Sequence, residues 1–244
     1  MNHAHYRPYG WRAKIGLIVP FTNTVNEAEW ARMAPDGVTV HTTRMALNHG
    51  EDAAALERSI LAAVASLAPA LPDVIAYGCT AGSMIMPLDR LTNAMRDMGG
   101  MPAVATAPAL VQALQALGAK RIALATPYHE ALNRHEMQFF EANGIETLSC
   151  RGLGIGVGGP HEYINIARVP REQVLEHARS ADHADADALV ISCTDFACLE
   201  AIPLLERELG KPVISSNLAT WWRALRAAGI DDHCADFGSL LLKH

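Results

Sequence analysis

Two stretches of the chain decide its fold: Asp73-Val-Ile-Ala-Tyr-Gly-Cys79-Thr80 and Asp187-Ala-Leu-Val-Ile-Ser-Cys193-Thr194. In each stretch an aspartate comes first, five mostly apolar residues follow, and a Cys-Thr pair ends the run. Short apolar runs of this length are typical of strands that are buried on both faces. The same order of residue types at two places in one chain indicates an internal repeat.

Two further pairs of segments repeat in the same order along the chain. Lys14–Pro20 is matched by Lys120–Pro127, and each begins with a lysine and ends in a proline just past an apolar run. The segment 102–118 is matched by 212–229, and each contains a proline, a short strand, a small polar turn, a helix and a glycine. Because all three pairs lie roughly 110 residues apart, one duplication accounts for them together.

The repeat predicts two homologous α/β halves of about 110 residues each, related by a pseudo-two-fold axis. One half comprises residues 1–118 with 216–244, and the other comprises residues 119–215. The alternative is chance similarity, because any doubly wound α/β protein contains strands that begin at an aspartate and end in polar residues. The presence of Cys-Thr at both equivalent strand ends favours duplication.

Short apolar runs alternate with longer amphipathic ones along most of the chain. They predict strands at 14–20, 38–45, 73–78, 103–106, 121–126, 188–192 and 213–215, and helices at 53–71, 109–117 and 129–143. Strands joined through helices form right-handed crossovers and a parallel sheet that is covered on both faces. We therefore expect two doubly wound parallel-sheet halves with the active site in the cleft between them, at the carboxyl ends of the strands.

Composition limits the classes of function. With 244 residues, 50% of them hydrophobic, the chain can bury a core and is too apolar to be disordered. A net charge of −6 without a Lys/Arg cluster argues against nucleic-acid binding. No apolar run approaches the roughly 18–20 residues that span a bilayer, and the N-terminus lacks the apolar core of a signal peptide. We expect a cytoplasmic protein without a membrane or nucleic-acid partner.

The five cysteines are widely spaced and odd in number, which argues against a disulfide framework. A lone cysteine is usually a small buried apolar residue, and we accept this interpretation for Cys150, Cys198 and Cys234. Cys79 and Cys193 differ because they occupy equivalent strand ends. Two thiols on opposite sides of one cleft can add to, or protonate, opposite faces of a planar carbon. This arrangement predicts a racemase or isomerase that needs no cofactor.

Turns rich in neutral hydrogen-bond donors follow several of the predicted strands. Such turns bind carboxylates when they open helices, although any single one is more often a plain helix cap. Their convergence at equivalent strand ends favours a small ligand with two carboxylates. The residues concerned are Thr22, Asn23, Thr24, Thr80, Gly82, Ser83, Thr126, Tyr128, Thr194, Ser215, Ser216 and Asn217.

Three other features carry less weight. The eleven histidines are scattered, and His129 and His135 have the wrong spacing for a zinc-protease helix, so we predict no metal site. The glycine-rich stretch 152–160 lacks the strand-to-helix turn of a phosphate site, and we interpret it as a mobile loop or lid over the cleft. His41 and Arg44, on the second predicted strand, either contact the substrate or cap the sheet.

The cysteine pair resembles that of the aspartate/glutamate racemase superfamily, in particular the branch of maleate cis-trans isomerases, arylmalonate decarboxylases and ectoine-utilisation proteins. The similarity extends over residues 15–229. Gly16-Leu-Ile-Val-Pro20, followed by Thr22-Asn23-Thr24, resembles the first strand and Ser-Asn-Thr turn of the isomerases, and His41-Thr-Thr-Arg-Met45 is similar to their His-Ser-Ser-Arg-Met. Tyr77–Ser83 is closer to the ectoine-type loop, and the last forty residues of the similarity are closest to the decarboxylases.

The resemblance implies a cofactor-independent cis-trans isomerase that converts a small dicarboxylate, maleate, to fumarate. Cys79 would attack a double-bond carbon as a thiolate and give a succinyl-type thioether and an enediolate. Rotation about the new single bond and expulsion of the thiolate would give fumarate, with Cys193 as acid and base at the neighbouring carbon. The substrate would be bound by Asn23, Tyr128, Asn165, Thr80, Ala81 and Thr194.

Several alternatives remain open at this point. An amino-acid or hydantoin racemase would use the same two thiols, whereas an arylmalonate decarboxylase uses one cysteine, so the presence of both Cys79 and Cys193 argues against it. A non-catalytic protein that binds a small anion by hinge closure is the alternative from a different class. The resemblance also implies a homodimer or a larger homo-oligomer.

Overall fold

The computed structural model describes residues 8–46 and 53–244. Parts of the predicted first half, residues 1–7 and 47–52, lie outside the described residues. The strands are β1 Ala13–Pro20, β2 Val38–Met45, β3 Val74–Tyr77, β4 Ala103–Ala105, β5 Arg121–Tyr128, β6 Glu146–Ile155, β7 Ala188–Ile191 and β8 Val213–Ser215. The helices are α1 Asn26–Met33, α2 Ala53–Leu67, α3 Thr80–Ser83, α4 Leu88–Gly99, α5 Thr106–Ala116, α6 Glu130–Ala142, α7 Arg171–Ala181, α8 Ala201–Leu209, α9 Ser216–Ala227 and α10 Ser239–Lys243.

The strands form two parallel sheets of four strands, with the orders β2-β1-β3-β4 and β6-β5-β7-β8. Each strand of the second sheet takes the place of its counterpart in the first, so β5 is central like β1 and β6 is at the edge like β2. The predicted two-half α/β fold is therefore confirmed. The division into residues 1–118 with 216–244 and residues 119–215 stays a prediction, although α9 packs against β3 and β4 of the first sheet.

The aspartate that begins each repeated stretch ties two parallel strands together at their amino ends. The Asp73 carboxylate accepts a hydrogen bond from the Lys14 N–H at 2.8 Å, and the Asp187 carboxylate accepts one from the Arg121 N–H, also at 2.8 Å. The Arg121 side chain hydrogen-bonds to Asp187 as well, and this lowers the pKa of that carboxyl to about 2. The repeated aspartate is thus structural, and it fixes the register of the central strands.

The two halves meet along α5 and α9, which follow the fourth strand of each sheet and pack against each other. Thr220 Oγ1 of α9 donates a hydrogen bond to Thr106 Oγ1 of α5 at 3.1 Å. Trp30 and Trp221 are fully buried with ring centroids 5.0 Å apart. Truncation of a buried tryptophan costs about 3–5 kcal/mol, so this aromatic pair is a large part of the junction's stability.

Strand β6 was not predicted, and the glycine-rich stretch predicted as a loop overlaps its end. Residues 152–155 pair with β5, and only the part that follows is a turn. As an edge strand, β6 is half-buried along its length. Its sequence therefore contains polar residues and glycines instead of the continuous apolar run that marks the central strands.

Helix α2, continued by the 3-10 turn Ala68–Ala70, is long and apolar enough to cross a membrane by length and composition alone. The sequence-based expectation that no segment reaches that length is therefore wrong. The residues of its buried face, Leu56, Ile60, Val64 and Leu67, pack in a core cluster with the first sheet. A core helix of this kind passes the same test, so the finding is weak evidence for a membrane span.

Candidate active site

A cavity of about 650 Å³ lies where the carboxyl ends of the two sheets face each other. Strand β3 ends just before Cys79, strand β7 ends just before Cys193, and both cysteines line this cavity. The topology therefore brings the two repeated Cys-Thr pairs to one place, as the repeat predicts. Five of the predicted binding residues also line it: Asn23, Thr80, Ala81, Tyr128 and Thr194.

Cys79 is the residue that precedes the short helix α3. Its Sγ accepts a hydrogen bond from the Gly82 N–H at 3.4 Å. Burial raises the pKa of the Cys79 thiol, while the Gly82 N–H and the neighbouring Tyr77 hydroxyl act in the opposite direction. Gly82 is required here, because a Cβ atom at this position would lie 2.3 Å from the Tyr77 hydroxyl.

Cys193 has a backbone φ of 102°, in the left-handed region that favours glycine. Its Sγ accepts a hydrogen bond from the Asp195 N–H at 3.4 Å. Burial raises the pKa of the Cys193 thiol far above its ordinary range; the Tyr128 hydroxyl opposes this rise, and the charge of Asp195 adds to it. A strained backbone beside a buried thiol is typical of a functional site.

The strained backbone of Cys193 leads to a prediction about stability. We expect the free energy of unfolding to be about 1 kcal/mol higher for Cys193→Gly than for Cys193→Ala. Glycine adopts a positive φ without strain, whereas alanine retains the Cβ atom that causes the strain. Urea denaturation of the two variants measures the difference. Equal or lower stability of the glycine variant would show that the backbone at Cys193 is unstrained.

Ser216, at the start of α9, links the two cysteine loops. Its Oγ accepts a hydrogen bond from Thr80 Oγ1 at 2.8 Å and another from the Cys193 N–H at 3.0 Å. All of these groups are buried. The spacing of the two loops is therefore fixed by a hydroxyl that belongs to neither of them.

Asn23 and Thr194 make a second link between the halves. Thr194 Oγ1 donates to the Gly78 carbonyl at 3.0 Å and accepts from Asn23 Nδ2 at 3.1 Å. Asn23 Oδ1 accepts from the backbone N–H groups of Val25 and Asn26, so the orientation of the amide is fixed. Among the described residues Asn23 Nδ2 has no second acceptor, so one of its N–H groups is available to a carboxylate in the cavity that Asn23 lines.

Arg44 does not line the cavity but supports the Asn23 turn. Its guanidinium donates to the Asn23 carbonyl at 3.1 Å and forms an ion pair with Glu27. His41 hydrogen-bonds to Thr39 at 3.0 Å and is also absent from the lining residues that the structure describes. Of the two roles left open by the sequence, the structure favours support for both residues.

Asn165 is the one predicted binding residue that the structure does not bring to the cavity. It lies in the 3-10 segment Pro160–Arg168, is exposed, and accepts a hydrogen bond from Arg168 at 3.2 Å. Tyr163 and Ile166 of the same segment line the cavity instead. The segment forms one wall of the site, and a direct role for Asn165 stays a prediction, as does the mobility of the glycine-rich turn before it.

Asp195 is a site residue that the sequence analysis did not single out. It follows the second Cys-Thr pair, lines the cavity, and accepts hydrogen bonds through Oδ1 from the N–H groups of Thr24 at 2.8 Å and Val25 at 3.2 Å. Burial raises the pKa of its carboxyl to about 6. An acidic residue directly after a reactive strand end is the signal that could have identified it.

The cavity contains no lysine or arginine among the lining residues that the structure describes; His135 and His161 are its basic side chains. Neutral amides and hydroxyls, together with these two histidines, are therefore the groups that could hold a carboxylate. In the described part of the chain, no group of three or more His, Cys, Asp or Glu residues is arranged to hold a metal ion.

Glu136, on α6, is fully buried near the Ser192 hydroxyl, without a hydrogen bond of normal geometry, and burial raises its pKa to about 7. The folded state therefore favours the protonated acid more than the unfolded state does. As a result, the free energy of unfolding falls as pH rises from about 4.5, the ordinary pKa, through about 7. The shift corresponds to about 3 kcal/mol. We expect Glu136→Gln to stabilise the protein at pH 8.5 by up to that amount and to change little at pH 4.5.

Urea denaturation at the two pH values measures the effect of Glu136→Gln. The matched control is Glu141→Gln, which removes an exposed carboxylate from the same helix and should change stability equally little at both pH values. A gain for Glu136→Gln that does not depend on pH would contradict the prediction.

The chain matches known proteins over most of its length. The model of the arylmalonate decarboxylase family matches residues 15–241. The maleate isomerase of Nocardia farcinica is 32% identical over 243 residues, which cover 93% of this chain and 95% of that protein. The arylmalonate decarboxylase of Bordetella bronchiseptica is 38% identical over 142 residues, which cover 57% of each chain.

A solved structure is also similar over almost the whole chain. It is that of a Nocardia farcinica maleate cis-trans isomerase variant with one cysteine changed to serine, which carries a covalently bound succinylcysteine intermediate. The TM-score is 0.85 at 30% identity, and the match covers 95% of this chain and 99% of that one. A covalent cysteine adduct has therefore been observed in a protein of this fold.

Proposed function

The chain belongs to the arylmalonate decarboxylase family, and from this we propose that it is a cofactor-independent isomerase that converts maleate to fumarate. The observation that carries the proposal is the pair of buried thiols, Cys79 and Cys193, which line one cavity from opposite sheets. The Nocardia farcinica relative, a maleate isomerase that forms a succinylcysteine, supports the same chemistry for this chain.

Cys79 acts as the nucleophile. Its thiolate forms a bond to one alkene carbon of maleate, and the π electrons move toward the carboxylate at the far end to give an enediolate. The former double bond is then single and rotates. When the electrons return, the double bond re-forms in the trans geometry and the bond to Sγ breaks, so that neither a redox change nor a net proton transfer is required.

The surroundings of the thiols support this division of roles. At Cys79 the Gly82 N–H and the Tyr77 hydroxyl oppose the effect of burial, and both favour the thiolate. At Cys193 burial again raises the thiol pKa, and the Tyr128 hydroxyl and the Asp195 N–H oppose it in the same way, but the negative charge of Asp195 adds to burial and favours the protonated thiol. A protonated Cys193 can lend its proton to the carbon beside the enediolate and take it back before Cys79 leaves.

Neutral donors hold the carboxylates in this proposal. Asn23 has one free N–H beside the cavity, and the Tyr128 hydroxyl lies close to Cys193, where it can donate to the oxygen that gains charge in the enediolate. The backbone and hydroxyl groups of Thr80, Ala81 and Thr194 provide further donors around the two cysteines. Because the dipoles are fixed by the hydrogen bonds that link the halves, they need not reorganise as the charge develops.

Incubation of the purified protein with maleate, followed by ¹H NMR, tests the proposal. We expect the cis alkene signal to be replaced by that of fumarate without any added metal or cofactor. Racemisation of an amino acid or hydantoin in place of maleate turnover would overturn it. So would binding of dicarboxylates without turnover of maleate, since an anion-binding protein carries out no chemistry on its ligand.

A decarboxylase is the second candidate, and two observations favour it. The Bordetella bronchiseptica decarboxylase is the more identical of the two relatives over the part it matches. Apolar side chains also line the cavity, among them Phe21, Leu56, Ile85 and Leu132. Incubation with phenylmalonate distinguishes the candidates. Release of carbon dioxide faster than maleate is isomerised would favour the decarboxylase.

We propose further that the protein is a cytoplasmic homodimer or larger homo-oligomer. The resemblance to the racemase superfamily supports the assembly, and light scattering of the purified protein measures it. Five free cysteines support a reducing compartment, because thiols of this kind are oxidised where disulfides form. Cell fractionation tests the location.

A further inference from the structure

Asp195 is a carboxylate inside a cavity that is proposed to bind a dianion. It is only 6% exposed and lines the cavity next to Cys193 and Thr194. Its charge raises the pKa of the Cys193 thiol, so the carboxylate lies close to the reacting groups. An acidic side chain at such a place is unfavourable for a second negative charge, which calls for an explanation.

The two oxygens of Asp195 have different surroundings. Oδ1 accepts the hydrogen bonds from Thr24 and Val25 that join the halves, whereas no described residue donates a hydrogen bond to Oδ2. The cation that acts on the carboxylate is Arg44, and its guanidinium is already engaged by Glu27 and by the Asn23 carbonyl. Asp195 therefore lines the cavity with one carboxylate oxygen to which no described residue donates, and a ligand bound there can supply the donor.

The structural role of Asp195 explains only half of this arrangement. An asparagine would serve equally well for Oδ1, since its carbonyl oxygen accepts the same two N–H bonds and it carries no charge into the cavity. The aspartate differs by offering a second acceptor, and an acceptor pairs with a donor on the substrate. A carboxylate has no donor, whereas a carboxamide has two N–H groups.

We propose that Asp195 selects a substrate in which the end near Cys193 is a carboxamide, so that the monoamide of maleate is isomerised in preference to maleate itself. The inference rests on the proposed function and names the substrate class of the same site. Isomerisation of the monoamide needs no further reagent, because the addition and expulsion of the Cys79 thiolate proceed as for maleate and give the trans monoamide.

The test compares kcat/KM for maleate with kcat/KM for its monoamide, maleamate, at the same pH. Both reactions are followed by ¹H NMR. In the wild type we expect kcat/KM to be at least about tenfold higher for maleamate than for maleate. A site built to hydrogen-bond one group of its substrate discriminates against a substrate that leaves the polar atom of the site unpaired. In Asp195→Asn the side-chain NH2 group, a donor, takes the place of the acceptor Oδ2. We therefore expect the variant to prefer maleate, and the ratio of the two kcat/KM values to change by about 100-fold relative to the wild type. A wild-type preference for maleate, or an unchanged ratio in the variant, would overturn the inference.

Two controls separate the possible failures. Asp89→Asn removes the same charge from an exposed position outside the cavity and should leave the ratio unchanged. Calorimetry with the saturated analogues succinate and succinamate measures binding without chemistry. If neither alkene reacts but the wild-type protein binds succinamate more tightly than succinate, the proposed function fails and the assignment of Asp195 stands. Tighter binding of succinate than of succinamate overturns the assignment. Should Asp195→Asn not fold, the wild-type ratios decide.

Discussion

Replacing Cys79 by alanine is expected to lower kcat for maleate by at least about 10⁴-fold, because the variant cannot form the covalent adduct through which the double bond rotates. Turnover is measured by ¹H NMR with long incubations. The side chain is small and buried, and its Sγ accepts one weak hydrogen bond from Gly82, so the variant should fold with little loss of stability.

A second cysteine serves as the matched control for this experiment. Cys234 is half-buried and outside the cavity, so Cys234→Ala should retain nearly full activity. Mass spectrometry adds an independent observation, because Cys193→Ser with maleate should accumulate an adduct on Cys79 that Cys79→Ala cannot form. Near-normal turnover by Cys79→Ala would exclude the two-thiol mechanism.

Removal of the Tyr128 hydroxyl is expected to have the next largest effect. We expect Tyr128→Phe to lower kcat by about 10²–10³-fold, the usual cost of losing one donor to an oxygen that gains negative charge in the transition state. The KM should change less, because the hydroxyl contributes mainly when the enediolate forms. Tyr128 is 5% exposed, and the ring is retained, so the cavity keeps its shape.

The pH dependence provides a second measurement on the same variant. The Tyr128 hydroxyl favours the ionised form of Cys193, so its removal should raise the pKa of that thiol further. Thiol alkylation at Cys193 should accordingly need a higher pH in Tyr128→Phe than in the wild type. Loss of less than fivefold in kcat, with unchanged alkylation, would show that Tyr128 is a wall of the cavity and not a donor.

The family, the enzyme class and the two-half α/β fold predicted from the sequence are confirmed. Most central strands were predicted within one or two residues, because burial on both faces gives them continuous apolar sequences. Strand β6 was missed for the opposite reason: it is at the edge of its sheet, and its half-buried residues show no such run. The polar ends of the strands were predicted because the repeat placed two Cys-Thr pairs in equivalent positions.

The parts of the site that the sequence did not reveal depend on contacts between distant segments. Asp195 accepts its hydrogen bonds from residues about 170 positions earlier, and Ser216 joins two loops that are 114 residues apart. The sequence places Ser216 in a donor-rich turn and Asp195 directly after a Cys-Thr pair, but neither position reveals which distant groups the side chain binds. The packing of one half on the other gives both residues their roles.

The packing of α5 against α9, the equivalent helices of the two halves, has a consequence for how the site is divided. Equivalent helices of two copies pack against each other where a two-fold axis passes between them, as in an isologous homodimer interface. The junction of α5 and α9 is thus a dimer interface contained within one chain. Because the two copies are fused in one chain, their sequences can differ. Cys79 and Cys193 occupy equivalent positions of the two halves, and each can therefore have its own electrostatic surroundings, as a nucleophile and an acid require.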